Sequence, residues 1–172
     1  VGSNATVCSG ANSGTLNLTG QTGSIINWQY STNSGTTWTN IANTTTSQTY
    51  SNLTQTTLYR AVVQSGVCSS ANSSNATITV NALPSVSATP TYTCVGGSSG
   101  TITATGSGGS TPYTYSLNGG TYQSGNLFSA LAAGTYTLSV KSNTGCISAA
   151  LASVIVSPYP NSTDDQTATA TN

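Results

Sequence analysis

The sequence predicts an all-β protein built as two tandem Ig-like, Greek-key β-sandwich domains, each with one disulfide. Three observations lead there: turn signals about every ten residues, period-two alternation between the turns, and a cysteine-and-aromatic plan that occurs twice.

The turn signals are Ser13-Gly14, Asn33-Ser34-Gly35, Ser65-Gly66, Gly96-Gly97, Gly108-Gly109, Asn118-Gly119-Gly120 and Thr144-Gly145. Between them lie short alternating segments such as Ile26-Asn27-Trp28-Gln29-Tyr30, Tyr59-Arg60-Ala61-Val62-Val63 and Thr135-Tyr136-Thr137-Leu138-Ser139-Val140. Alternation of this kind gives half-buried strands with one face on a core, and no window carries a convincing helical period. The plan repeats as Cys8, Trp28, Tyr59, Cys68 and then Cys94, Tyr113/Tyr115, Tyr136, Cys146. The boundary falls near Ala82-Leu83-Pro84, so residues 1–82 form the first sandwich and 83–158 the second. Residues 159–172 read as a linker and a strand for a neighbouring module.

Composition narrows the function. Only Arg60, Lys141, Asp164 and Asp165 are charged, 2% of the 172 residues where ordinary domains carry about 25%. With zero net charge and no basic cluster, nothing steers nucleic acid or an anionic membrane toward the chain. The apolar stretches are far shorter than the roughly 20 residues of a spanning helix, so no membrane insertion is expected. Thr and Ser supply 61 residues, so solubility rests on hydroxyls and amides rather than charge.

Catalysis needs a titratable group near neutral pH or a base beside a nucleophile. His and Glu are absent, and only Lys141 and the Asp164-Asp165 pair remain. No enzyme activity and no cofactor are expected. Cys8, Cys68, Cys94 and Cys146 contain no CxxC pair, and no His joins them, which argues against zinc. Two disulfides formed in an oxidising compartment are expected. The expected pairing is Cys8–Cys68 and Cys94–Cys146, since each bond then staples one half of the chain. Lacking an initial Met or a signal peptide, the sequence reads as a processed fragment or an excerpt of something longer.

The residues also carry a resemblance. Cys8-Ser9-Gly10, Ile26–Ser31, Gly35–Ile41 and Thr57–Val63 resemble Ig-like repeats of secreted and surface proteins of Bacteroidota. Cys94-Val95-Gly96, Gly108–Ser116, Phe128–Leu131, Ala133–Val140 and Gly145-Cys146 resemble the SprB-type repeat of gliding-motility adhesins. The resemblance implies long secreted proteins of tandem modules displayed at the cell surface, without catalytic activity.

Among candidate contacts, Trp38, Tyr113 and Tyr122 could present aromatic faces to surface glycans, with packing as the alternative role of each. Trp28 reads as the core aromatic of the first half, and Arg60 as a packed, partly snorkelling side chain. Asp164-Asp165 has no third carboxylate to complete a calcium site. Seven Asn-x-Ser/Thr sequons occur, at Asn4, Asn17, Asn43, Asn52, Asn72, Asn75 and Asn161.

The tail alternates perfectly at Thr167-Ala168-Thr169-Ala170-Thr171. The second half has a strand-length lead-in, Pro84–Thr93, before its first cysteine, whereas only Val1–Val7 precede Cys8. The first half is therefore expected to lack part of its opening strand, and Thr167–Thr171 to supply it to the next module. The expected function is a non-catalytic repeat or subunit of a secreted, cell-surface filament or adhesin stalk, joined end to end by strand complementation or tandem linkage, whose partners are neighbouring copies or tandem repeats of itself. A carbohydrate-binding module is the alternative.

Overall fold

The alternation Thr57-Leu58-Tyr59-Arg60-Ala61 becomes the centre of the first sandwich, with Thr57, Tyr59 and Ala61 turned inward and buried. The computed structural model describes residues 1, 2 and 4–159, and among these the secondary structure is strands and turns, with no helix. The chain divides into two units, Val1–Leu83 and Pro84–Asn172.

Unit 1 contains β1 (Ala5–Cys8), β2 (Ser13–Asn17), β3 (Ser24–Ser31), β4 (Thr39–Ile41), β5 (Ser47–Ser51), β6 (Thr57–Gln64), β7 (Ala71–Asn72) and β8 (Ala76–Asn81). One sheet has the order β1-β8-β6-β3-β4, with β7 paired to β6, and the other is β2-β5. Crossing between sheets at β2–β3 and β5–β6 is the Greek-key connection of Ig-like sandwiches. Leu16 and Tyr50 from the small sheet meet Trp28, Tyr59, Ala61 and Ile78 from the large one. Each large apolar side chain so enclosed contributes about 1.5–3 kcal/mol relative to exposure.

β3 departs from simple alternation. A register shift between Ile25 and Asn27 inserts a bulge, so Ile25, Trp28 and Ser31 are the buried positions. Ile26, on the Trp28 face in a strict period of two, is 44% exposed. A bulge places two residues against one and rotates the remainder of the strand, which is why the sequence pattern misassigned this residue.

Unit 2 contains β9 (Ser85–Pro90), β10 (Gly100–Ser107), β11 (Thr114–Leu117), β12 (Leu127–Leu131), β13 (Gly134–Lys141) and β14 (Leu151–Val156). Its sheets are β12-β10-β9 and β11-β13-β14. Ile102 and Ala104 from the first sheet pack with Tyr115, Leu138, Val140, Val154 and Val156 from the second. The Asn118-Gly119 turn has φ of 50° and 70°, and Gly120 N–H closes it on Leu117 O at 3.0 Å. Two successive left-handed residues match the twist of paired strands, which favours Asn-Gly here.

Candidate functional site

The long central strands separate the cysteines that the sequence pattern pairs. In unit 1, Cys8 lies opposite Asn81 at the end of β8, level with the start of β6. Cys68 lies past the other end of β6, in the turn closed by its N–H on Ser65 O. β6 has 8 residues, so the two cysteines are more than about 20 Å apart at 3.3 Å per residue. A disulfide requires Cα atoms within about 7 Å.

Unit 2 repeats the arrangement. Cys94 follows Thr93, which bridges Pro158, at the Gly134–Val156 end of β13. Cys146 lies past Lys141, at the other end of the same strand. Neither Cys8–Cys68 nor Cys94–Cys146 therefore forms, and the expectation of one disulfide within each domain is corrected. Cys68 and Cys94 are exposed free thiols, while Cys8 and Cys146 are each disulfide-bonded.

Each unit thus carries one cysteine at each pole. Cys8 marks the pole where the chain leaves unit 1 beyond Asn81, and Cys146 the pole where it enters unit 2 at Ser85, since Ser85 pairs with Ser107 and Asn143 N–H reaches Ser110 O. The free thiols belong to the remaining two poles.

The aromatic candidates are engaged within their units. Trp38 donates its indole N–H to Gly35 O at 3.0 Å, and the Arg60 guanidinium lies 3.8 Å above its ring centroid. Tyr113 donates its hydroxyl to Gly108 O at 2.6 Å. Tyr122 shares a hydrogen bond with Ser139 at 3.0 Å, and the Lys141 ammonium lies 4.5 Å from its ring centroid. Trp28 is fully buried with its indole N–H on Thr45 O at 2.9 Å. Burial raises the Tyr59 hydroxyl pKa above its ordinary value, with Tyr30 and then Tyr50 adding to it.

β1 runs parallel to β8 from Ala5↔Ile78 to Cys8↔Asn81, so the lead-in completes the large sheet. In unit 2 the lead-in does more: β9 pairs with β10 from Ser85↔Ser107 to Pro90↔Ile102 before Thr93 crosses to Pro158. Along β2 the only counterpart among the described residues is one bond, Gly2 N–H to Asn17 O at 2.8 Å. Beyond it, Leu18–Thr22 form one wall of a groove of about 390 Å³, with Val1, Val63, Ser65, Ser69 and Ala71–Ser74 as the rest of its lining. Sequence reasoning did not place this groove, whose walls come from well-separated stretches of the chain.

Thr167, Ala168, Thr169, Ala170 and Thr171 lie outside the described residues, as do Asn161, Asp164 and Asp165. Among the described residues no group of three or more His, Cys, Asp or Glu is placed to hold a metal ion. Among them, too, no helix is long and apolar enough to cross a membrane.

Fold and poles together define a two-unit, Ig-like all-β protein. Residues 85–122 match the SprB repeat, and residues 1–82 match a domain of unknown function, DUF8696. No curated protein matches the chain. Among solved structures, fibronectin(III)-like modules of Clostridium thermocellum CbhA are similar at 14% identity and a TM-score of 0.37, over 91% of this chain and 90% of theirs. The amphioxus IgVJ-C2 molecule is similar at 11% identity and a TM-score of 0.35, over 88% of this chain and 99% of that one. Extracellular domains 3–5 of Drosophila OTK are similar at 12% identity and a TM-score of 0.32, over 87% of this chain and 62% of that one.

Proposed function

We propose that the chain is a non-catalytic structural repeat of an extracellular, cell-surface adhesin stalk or filament of the Bacteroidota type, joined end to end with further copies. The SprB-repeat match of residues 85–122 supports a surface adhesin, and the near-absence of ionisable side chains supports a structural role.

The observation that favours the joining is the groove beyond the end of β2. β10 has β9 along six residue pairs, whereas among the described residues the edge of β2 away from β5 has one hydrogen bond, Gly2 N–H to Asn17 O, before the groove. The strand Thr167–Thr171 of one copy occupies that groove on the next and adds to the β2 edge. Backbone hydrogen bonds give such strand addition its affinity, and alternate side chains seat in the groove. An occupied edge is also protected from indiscriminate pairing, which matters in a chain with so few charged gatekeepers.

The test is electron microscopy of the full chain, with binding of a synthetic peptide of residues 159–172 measured alongside. Fibres with one axial repeat per chain, and saturable peptide binding that dissolves them, are expected. A monodisperse monomer that ignores the peptide overturns the reading.

A further inference from the structure

The two free thiols stand at the two poles that an end-to-end series would bring together. Cys68 lies between Ser65 and Ser69, both of which line the groove beyond the end of β2. Cys94 adjoins the Thr93 bridge to Pro158, where the chain leaves unit 2. Both thiols are exposed, Cys94 Sγ accepting from the Ser99 hydroxyl at 3.8 Å, and exposed apolar side chains stand near each in the chain. Val67, beside Cys68, is fully exposed, and Tyr92, Val95 and Tyr159 around Cys94 are 58%, 68% and 67% exposed. Tyr92 and Tyr159 stack edge to face with centroids 5.6 Å apart, making a preformed apolar knob. Large apolar side chains clustered at the rim of a thiol mark a surface built to be covered.

We infer that Cys94 of one copy and Cys68 of the next form an intermolecular disulfide that locks each junction covalently. The inference rests on the end-to-end reading above. It also accounts for the division of the four cysteines. In each unit the cysteine at the end nearer the linker is disulfide-bonded, and the cysteine at the opposite end of the same unit is the free thiol that a neighbouring copy would meet.

The chemistry is thiol–disulfide exchange with a disulfide-bearing oxidant, either a protein oxidase or a low-molecular-weight disulfide. The Cys68 thiolate attacks the oxidant's disulfide and expels one thiolate, leaving a mixed disulfide. The Cys94 thiolate of the docked copy then attacks the Cys68 sulfur and expels the second. Two chain thiols lose two protons and two electrons, and the oxidant's disulfide becomes two thiols.

The test incubates the full chain in glutathione disulfide and resolves the products on non-reducing gels with peptide mapping. The expected result is a ladder of multimers joined through Cys68–Cys94. When C68S and C94S chains are mixed, the heterotypic dimer should exceed either homotypic dimer by about a hundredfold, because docking raises the effective thiol concentration to the millimolar range. Homotypic links in equal yield, or thiols that stay alkylatable within assembled fibres, overturn the inference. The C68S/C94S double variant separates the two claims. If it still forms fibres while wild-type thiols remain free, the cross-link falls and the joining stands. If neither protein forms fibres nor binds the tail peptide, the joining reading falls with it.

Discussion

The Arg60 guanidinium lies over the Trp38 ring at 3.8 Å, its Nε donating to Gln29 Oε1 at 2.7 Å. Gln29 in turn donates to Asn40 Oδ1 at 2.8 Å, so a single arginine ties β6, β3 and β4 together on their outer face. The sequence contains no other arginine, and its side chain is used for packing a sheet.

Arg60→Ala should therefore destabilise unit 1 by about 1–2 kcal/mol, from the lost cation–π contact and the unpaired Gln29. Arg60→Lys should recover less than half of that, since an ammonium cannot stack and donate to Gln29 in the same fork. Urea unfolding followed by tryptophan emission checks both. Equal stability of all three proteins would show that the contact adds nothing to the fold.

Trp28 tests the core of the same unit. Its ring is fully enclosed and its N–H satisfies Thr45 O, so Trp28→Phe loses both volume and a donor. A loss of about 2–4 kcal/mol is expected, and Trp28→Ala should cost at least as much. Differential scanning calorimetry measures the shift, and a change below about 1 kcal/mol would contradict a tightly packed site.

Gly100 makes the corresponding test in unit 2. A Cβ there would meet Leu131 O at 2.9 Å and press on Val156 Cγ1 and Thr93 Cβ. Leu131 O belongs to paired backbone that cannot retreat without disturbing the β10–β12 ladder. Gly100→Ala should destabilise unit 2 by about 1–3 kcal/mol. An unchanged unfolding midpoint would show that β12 yields freely.

How much of this was legible in the sequence depends on what decides each feature. β6 and β13 were readable because inward-outward alternation is a local property of consecutive residues, as at Tyr59, Ala61, Leu138 and Val140. The burial of Ile25 in place of Ile26 was not, because a bulge is set by pairing with β6 and leaves the residue types unchanged. The cysteine pairing failed for a longer-range reason. Four cysteines allow three connectivities, and the choice turns on which pole of a strand each one caps. Cys8 and Cys68 flank the same half of the sequence yet sit at opposite ends of β6. The groove was not legible, because its walls, residues 18–22 and residues between 63 and 74, are brought together only by the fold.

Tyr59 gives unit 1 a pH dependence of definite sign. Burial holds its hydroxyl pKa above the ordinary 10.0, so the folded state keeps a proton that the unfolded state releases. Its contribution to stability is fully present below about pH 10 and is lost as the pH rises through the raised folded value. No His or Glu exists to titrate between about pH 5 and 8. Unfolding free energy should therefore be nearly flat from about pH 6 to 9 and decline above about 10, with Tyr59→Phe flattening the decline. A slope near neutrality, or an undiminished alkaline decline in Tyr59→Phe, would assign the effect elsewhere.

Ala71 offers a way to close the groove without disturbing the core. It is exposed on β7, lines the groove beyond the end of β2, and pairs with Val63 in the ladder with β6. Ala71→Arg puts a long charged side chain where an incoming strand would lie, at a site with no carboxylate among its lining residues. An exposed substitution of this kind should alter stability by no more than about 0.5 kcal/mol. If Thr167–Thr171 fills that groove, Ala71→Arg should abolish fibres and tail-peptide binding while leaving the unfolding midpoint in place. Thr79→Arg, exposed on β8 and absent from the groove lining, should leave assembly intact. Loss of assembly in both variants would point to charge repulsion in general, and loss in neither would place the joining surface away from β2.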